Sequence, residues 1–179
     1  MVCPRCISSV HNIFDEIQVS IENIELGKVY LKDEISPETR GLLAKKLELQ
    51  GFQLLDNHED CLINAVKTLI INKVHYLSGI DNQNLSKELS HSLNKEYSVI
   101  SKAFSKKEGI TIQQYLMKQR IEKVKEYLDY NQKTISEIAF ELGFSSVAHL
   151  STQFKKLTGI SPSEYKNMDE ISRKSIDNL

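Results

Sequence analysis

The chain has 179 residues, 40% of them hydrophobic and 26% charged, which is enough for one ordinary domain or two small ones. Its net charge of −1 does not point to nucleic acid, and its three cysteines favour free thiols or a metal site over structural disulfides. Lys67 and Lys73 interrupt the longest apolar stretch, and the start of the chain lacks the pattern of a signal peptide. We therefore expect a cytoplasmic protein with no membrane partner.

Residues 1–58 predict a small α+β domain. Helical spacing of apolar residues and short alternating runs distinguish its helices from its strands. Ser36 followed by Pro37 predicts the start of a second helix, which Gly51 ends. The predicted order is helix, strand, strand, helix and strand, over residues 7–17, 19–26, 29–31, 37–50 and 52–55.

The motif Met-Val-Cys-Pro-Arg-Cys precedes the first helix. Together with this element order, it resembles the heavy-metal-associated domain, which has a ferredoxin-like fold. The resemblance implies that Cys3 and Cys6 form a thiolate pair for copper(I) or zinc; no cofactor is otherwise expected. The chain departs from that family because only Met1 and Val2 precede Cys3, which shortens the first strand. The alternatives are two reduced thiols without a metal, or a thioredoxin-type redox pair, which would need a strand before the motif.

Residues 59–80 are expected to connect two domains. A helix is predicted over residues 60–78, with a broad apolar stripe from Leu62 to Leu77. Such a stripe either bridges the domains or pairs with a second copy, so a homodimer through the N-terminal half is a candidate assembly. Turn-forming residues predict a linker over residues 78–84.

Residues 134–165 predict two short helices around a tight turn. Thr134 and Glu137 have capping-box spacing, which predicts a helix start. Gly143 predicts the end of that helix, and Ser145 is placed to cap the next one. This is the pattern of a helix-turn-helix, whose second helix lies in the major groove of DNA. The residues predicted to face inward on that helix are Leu150, Phe154 and Leu157.

Residues 81–116 repeat this pattern 50 residues earlier in the chain. Leu93 and Asn94 stand where Gly143 stands in the second copy, and asparagine tolerates the left-handed φ of such a turn. A long helix from Thr111 to about Asn131 is predicted to join the copies. The matching inward and turn residues are Ile100, Phe104, Gly109 and Tyr115 in the first copy, and Leu150, Phe154, Gly159 and Tyr165 in the second.

The run ISEIAFELGFSS…HLSTQFKKLTGISPSEYK resembles the C-terminal signature of the AraC/XylS family of transcriptional regulators. The resemblance covers residues 81–168 and implies an all-α domain of two helix-turn-helix units joined by a long helix. It implies a sequence-specific regulator with double-stranded DNA as partner and RNA polymerase as a further candidate partner. Residues 169–179 are polar and predict a flexible tail.

The resemblance also assigns the residues that would contact DNA. The first recognition helix offers mostly small side chains and one lysine, and the second offers small and apolar ones, so shape and phosphate contacts should supplement base readout. The candidates for base readout are Ser98, Val99, Ser101, Lys102, Val147, Ala148, His149, Ser151 and Thr152. The candidates for phosphate contacts are Lys106, Lys118, Arg120, Ser145, Ser146, Lys155 and Lys156.

Two function hypotheses follow. Residues 95–125 are markedly basic although the chain as a whole is not, which favours DNA binding by the C-terminal half. The alternative is a soft-metal carrier or metal-responsive module whose helical half makes protein contacts. No phosphate loop, nucleophile elbow or metalloprotease motif occurs in the sequence, so we expect no enzyme activity.

Overall fold

The computed structural model describes residues 1, 3–55, 57–76, 85–131 and 133–167. The chain divides into two compact units, Met1–Thr68 and Leu69–Leu179. The predicted linker 78–84 and the predicted tail 169–179 lie outside the described residues.

The first unit contains helices on a β-hairpin. The helices α1 (Pro4–Glu16) and α2 (Pro37–Leu49) supply the buried residues of a hydrophobic cluster that packs against apolar side chains of the hairpin. Gly27 turns the hairpin with a φ of 81°, and Ile24 pairs with Val29 in antiparallel register. Ser36 caps α2, as predicted, by accepting a hydrogen bond from the backbone N–H of Thr39. The elements are α1 (Pro4–Glu16), β1 (Ile21–Glu25), β2 (Lys28–Leu31), α2 (Pro37–Leu49) and α3 (His58–Ile71), whose last residues belong to the second unit.

The predicted strand at residues 52–55 does not form. Phe52 and Leu54 pack against the core without pairing to a neighbouring strand, and the sheet of the described residues has two strands, β1 and β2. The physical reason is pairing: a strand needs a hydrogen-bonded neighbour, and none of the described residues pairs with residues 52–55. The ferredoxin-like fold is therefore not confirmed, and only its central α-β-β-α order is present.

The second unit is helical. Its first part is the end of α3 and the π-helical turn Asn72–Tyr76, where His75 Nε2 lies 2.9 Å from Oε1 of the buried Gln119. The helices that follow are α4 (Leu85–Leu93), α5 (Tyr97–Glu108), α6 (Ile112–Asp129), α7 (Ile135–Glu141), α8 (Val147–Thr158) and α9 (Pro162–Lys166).

The internal repeat is present in three dimensions. Helices α5 and α8 both have 12 residues, and each ends at a glycine with left-handed φ, Gly109 at 70° and Gly159 at 88°. Each buries a phenylalanine edge-to-face on a tyrosine of the following helix. The ring centroids are 5.6 Å apart for Phe104 and Tyr115, and 5.5 Å apart for Phe154 and Tyr165. The inward prediction was wrong for Leu157, which is 43% exposed at the end of α8.

The two turns are equivalent after a shift of one residue. Asn94 has a φ of 48° and Gly143 a φ of 68°. The N–H of Asn94 donates to the carbonyl of His91, three residues back, as the N–H of Gly143 does to Phe140. Asn94 therefore takes the place of Gly143, which confirms that asparagine preserves this turn.

Helix α6 runs through the core of the second unit and carries buried charges. Lys125 and Glu122 form an ion pair of 2.8 Å with 7% and 5% side-chain exposure, so each charge is compensated where water is excluded. Tyr127 donates a 2.5 Å hydrogen bond to Glu141 of α7. Burial and this hydrogen bond raise the pKa of the Tyr127 hydroxyl, so it stays protonated and continues to donate.

We expect Phe154→Ala to destabilise the second unit by about 3–5 kcal/mol, because it removes a fully buried ring and leaves a cavity beneath α8. The matched control is Phe140→Ala, since Phe140 is 87% exposed and its loss should change stability by less than about 0.5 kcal/mol. Urea unfolding followed by circular dichroism measures both. Equal stability of the two variants would show that the core does not depend on Phe154.

Candidate nucleic-acid interface

Helix α8 presents a face of small side chains to solvent. Leu150 and Phe154 are fully buried, so residues two positions away lie on the opposite side of the helix. Of the predicted base-reading residues, Val147, Ala148 and Thr152 are exposed, while His149 and Ser151 are half-buried. The Thr152 hydroxyl donates to the carbonyl of Ala148 in the preceding turn, so its proton is already engaged within the helix.

The start of α8 differs from the prediction in one residue. Ser146, not Ser145, caps the helix by accepting a hydrogen bond from the backbone N–H of His149 at 3.0 Å. The Ser145 hydroxyl instead lies 3.0 Å from Nδ1 of His149, whose ring makes an edge contact with Phe144. Ser146 directly precedes the first residue of α8 as Glu96 precedes that of α5, so the two helices begin at equivalent positions of the repeat.

Helix α5 presents an outward face that contains a lysine, which the outward face of α8 lacks near its start. Ile100 and Phe104 are fully buried, and the predicted base-reading residues Ser98, Val99 and Lys102 are exposed, with Val99 at 53%. Ser101 is half-buried. The structure therefore exposes, on both helices, the same part of the surface that would have to meet base edges.

Most of the predicted phosphate contacts lie at the surface. Lys106 of α5 and Lys155 and Lys156 of α8 are exposed in the last turns of their helices, and Ser145 and Ser146 are exposed before α8. Lysine in the last turn also stabilises the helix, because its charge opposes the negative end of the helix dipole.

Helix α6 carries the two phosphate candidates that are not exposed. Lys118 is half-buried. Arg120 corrects the prediction, because it is 3% exposed and its guanidinium lies 6.0 Å from the centre of the Phe144 ring. Burial lowers the pKa of Arg120 to about 10. Arg120 therefore supports the turn before α8 from within, and it is not on the surface that would face a phosphate backbone.

The predicted metal ligands lie in the first unit. The Sγ atoms of Cys3 and Cys6 are 3.4 Å apart and half-buried at the start of α1. Cys61, the remaining cysteine, is exposed. Within the described ranges, no group of three or more histidine, cysteine or acidic side chains is placed to hold an ion. In those same ranges, every helix is too short or too polar to span a lipid bilayer.

Residues 89–168 match the sequence profile of the helix-turn-helix domain family. A stretch of 79 residues is 38% identical to an uncharacterised HTH-type transcriptional regulator of Staphylococcus aureus, and it covers 44% of this chain and 11% of that protein. A stretch of 70 residues is 33% identical to the bifunctional transcriptional activator/DNA repair enzyme AdaA of Bacillus subtilis, and it covers 39% of this chain and 33% of AdaA. The chain thus spans only a tenth to a third of these relatives.

The fold has a solved counterpart. The C-terminal domain of AraT, a response regulator from Geobacillus stearothermophilus, aligns with 66% of this chain and 94% of its own length, with 25% sequence identity and a TM-score of 0.53. The family match, these relatives and the repeated helical pair agree with the resemblance found in the sequence. Residues 89–168 of this protein form a helix-turn-helix domain that is similar to those of AraC-type regulators.

Proposed function

We propose that the chain is a sequence-specific DNA-binding transcription regulator in which α5 and α8 read two successive segments of the major groove. The observation that carries the proposal is the duplication. Two helices of equal length, with equivalent C-terminal glycines and buried residues, each expose a face opposite to the core. A recognition helix meets base edges with such a face.

Two features support DNA as the partner. The exposed lysines in the last turns of α5 and α8 provide cationic groups for the phosphate backbone, which supplies much of the affinity of such proteins. The exposed residues nearer the start of each helix are small, so the backbone of each helix can approach the base edges closely. RNA polymerase and a second copy of the chain are further partners that the sequence predicts.

The first test is the salt dependence of binding to random-sequence duplex DNA, measured by fluorescence anisotropy from about 50 to 200 mM salt. We expect affinity to fall steeply over this range, and Lys106→Ala or Lys155→Ala each to reduce the slope by about 1, because each removes one phosphate contact. Lys45→Ala is the control, since Lys45 is exposed on α2 in the first unit. Undetectable binding at low salt, or an equal loss in the control, contradicts the proposal.

The second test concerns the two reading helices. We expect hydroxyl-radical footprinting on a selected site to show two protected segments about one helical turn, roughly 34 Å, apart. Ser98→Glu should remove one segment and Ala148→Glu the other, because a carboxylate at either exposed position is repelled by the DNA. A single protected segment, lost in one variant and kept in the other, would mean that only one helix reads DNA.

A second candidate function is binding of a soft metal ion by Cys3 and Cys6, and the observation that favours it is their Sγ separation of 3.4 Å. Two sulfur atoms this close can share one ion. Copper(I) suits a site of two thiolates, whereas structural zinc requires four ligands, which would call for groups from a second chain. These residues therefore fit copper(I) better than zinc.

We expect the reduced protein to bind copper(I) in a titration against a competing chelator, and Cys3→Ser/Cys6→Ser to abolish this binding because both thiolate ligands are gone. Cys61→Ser is the matched control and should bind as the unaltered chain does, since Cys61 is exposed and remote in sequence from the pair. Equal copper(I) affinity in the double variant would show that the pair is not a metal site.

A further inference from the structure

The repeat places residues 50 positions apart at equivalent points on α5 and α8. Both helices begin at equivalent residues and end at glycines with left-handed φ. Their fully buried residues also coincide, Ile100 with Leu150 and Phe104 with Phe154. Corresponding positions on the two helices would therefore meet corresponding positions in their segments of DNA, and any chemical difference between them becomes a difference in the sequence that each helix prefers.

The centre of each outward face is defined by two positions one turn apart. On α5 these are Ser98 and Lys102, two residues away from Ile100 and Phe104 in each case. Two residues correspond to about 200° of rotation on an α-helix, which points these side chains away from the core. On α8 the equivalent positions are Ala148 and Thr152, and all four residues are exposed.

The two faces differ in charge at these positions. Lys102 places an ammonium group at the centre of the α5 face, whereas residues 147–153 of α8 contain no lysine, arginine or acidic residue. His149 of that stretch is half-buried and held against Ser145 and Phe144. Both helices carry two lysines in their last turn, so their phosphate contacts are balanced. The difference between the helices therefore lies at the positions that would meet bases.

The edges of the bases differ in whether they suit an ammonium group or a methyl group. Guanine presents two acceptors in the major groove, O6 and N7, which suit the three donors of a lysine ammonium. Thymine presents a methyl group, which suits apolar contact with the methyl of alanine or threonine. A threonine hydroxyl serves either base and adds little discrimination.

We propose that the chain recognises an asymmetric site, in which α5 selects guanine through Lys102 and α8 selects thymine through Ala148 and Thr152. This inference rests on the proposed function, since it assigns a base preference to each of the two reading helices. The site would have a direction, because the guanine segment and the thymine segment cannot be exchanged without reversing the protein on the DNA.

The test is selection of bound sequences from a random DNA pool by the full chain and by two reciprocal variants. The unaltered chain should enrich guanine in one segment and thymine in the segment about one turn away. Lys102→Thr, which gives α5 the residue of α8, should reduce the preference for guanine roughly tenfold or more. Thr152→Lys should create a guanine preference of similar size in the other segment.

Lys106→Ala is the matched control, because it removes a lysine at the end of the same helix. It should weaken binding to all sequences alike and leave the enriched guanine in place. Circular dichroism melting verifies that each variant is folded. Guanine enrichment that survives Lys102→Thr, or a folded Thr152→Lys variant that gains none, overturns the inference while leaving the proposed function intact. No enrichment at all by the unaltered chain overturns both.

Discussion

The edge-to-face packing of a phenylalanine on a tyrosine fixes the orientation of α5 and, in the second copy, of α8. Phe104 packs on Tyr115 and Phe154 on Tyr165, and both phenylalanines are completely buried. A helix fixed by one large ring cannot rotate about its axis without exposing that ring to water, which costs several kcal/mol. The side opposite to each phenylalanine is therefore held outward, and the small residues there form the proposed interface.

Helix α6 holds the second unit together, and its buried polar groups determine how neighbouring segments attach to it. Gln119 meets His75 of the π-helical turn, Tyr127 meets Glu141 of α7, and Arg120 lies near Phe144 before α8. Each contact joins α6 to a different element of the unit. Because a buried polar group is costly unless it is paired, these contacts favour one arrangement of the helices over alternatives that apolar packing alone would allow.

The first unit has a different balance of forces. Its core is a small cluster from α1 and α2 against a single hairpin, without a strand on the side where residues 52–55 pack. The thiol pair lies at the start of α1, next to this core and not within it. Substitution of the two cysteines is thus expected to test metal binding without removing core residues.

The sequence by itself determined the two repeated helical pairs and the long helix that joins them, because a capping box, terminal glycines and a 50-residue repeat are local signals that need no tertiary knowledge. The capping box at Thr134 formed as predicted, and Thr111 caps the long helix that was predicted to begin there. It also determined which face of α5 and α8 is outward, since helical periodicity requires only the positions of the buried residues. The sequence also predicted that Asn94 takes the place of Gly143 in the first copy, because both residues tolerate left-handed φ.

Only the tertiary structure decided whether a long side chain is buried and whether an apolar run forms a strand. Arg120 reads as a surface cation in sequence, but the ring of Phe144, 24 residues later, gives it a buried site. Residues 52–55 have the pattern of a strand, yet strand formation depends on a neighbour elsewhere in the chain, and among the described residues none pairs with them. The sequence predicted Ser145 as the cap of α8, but the geometry of the turn makes Ser146 the cap. For Arg120 and for residues 52–55 the deciding partner is distant in sequence, which local sequence patterns do not encode.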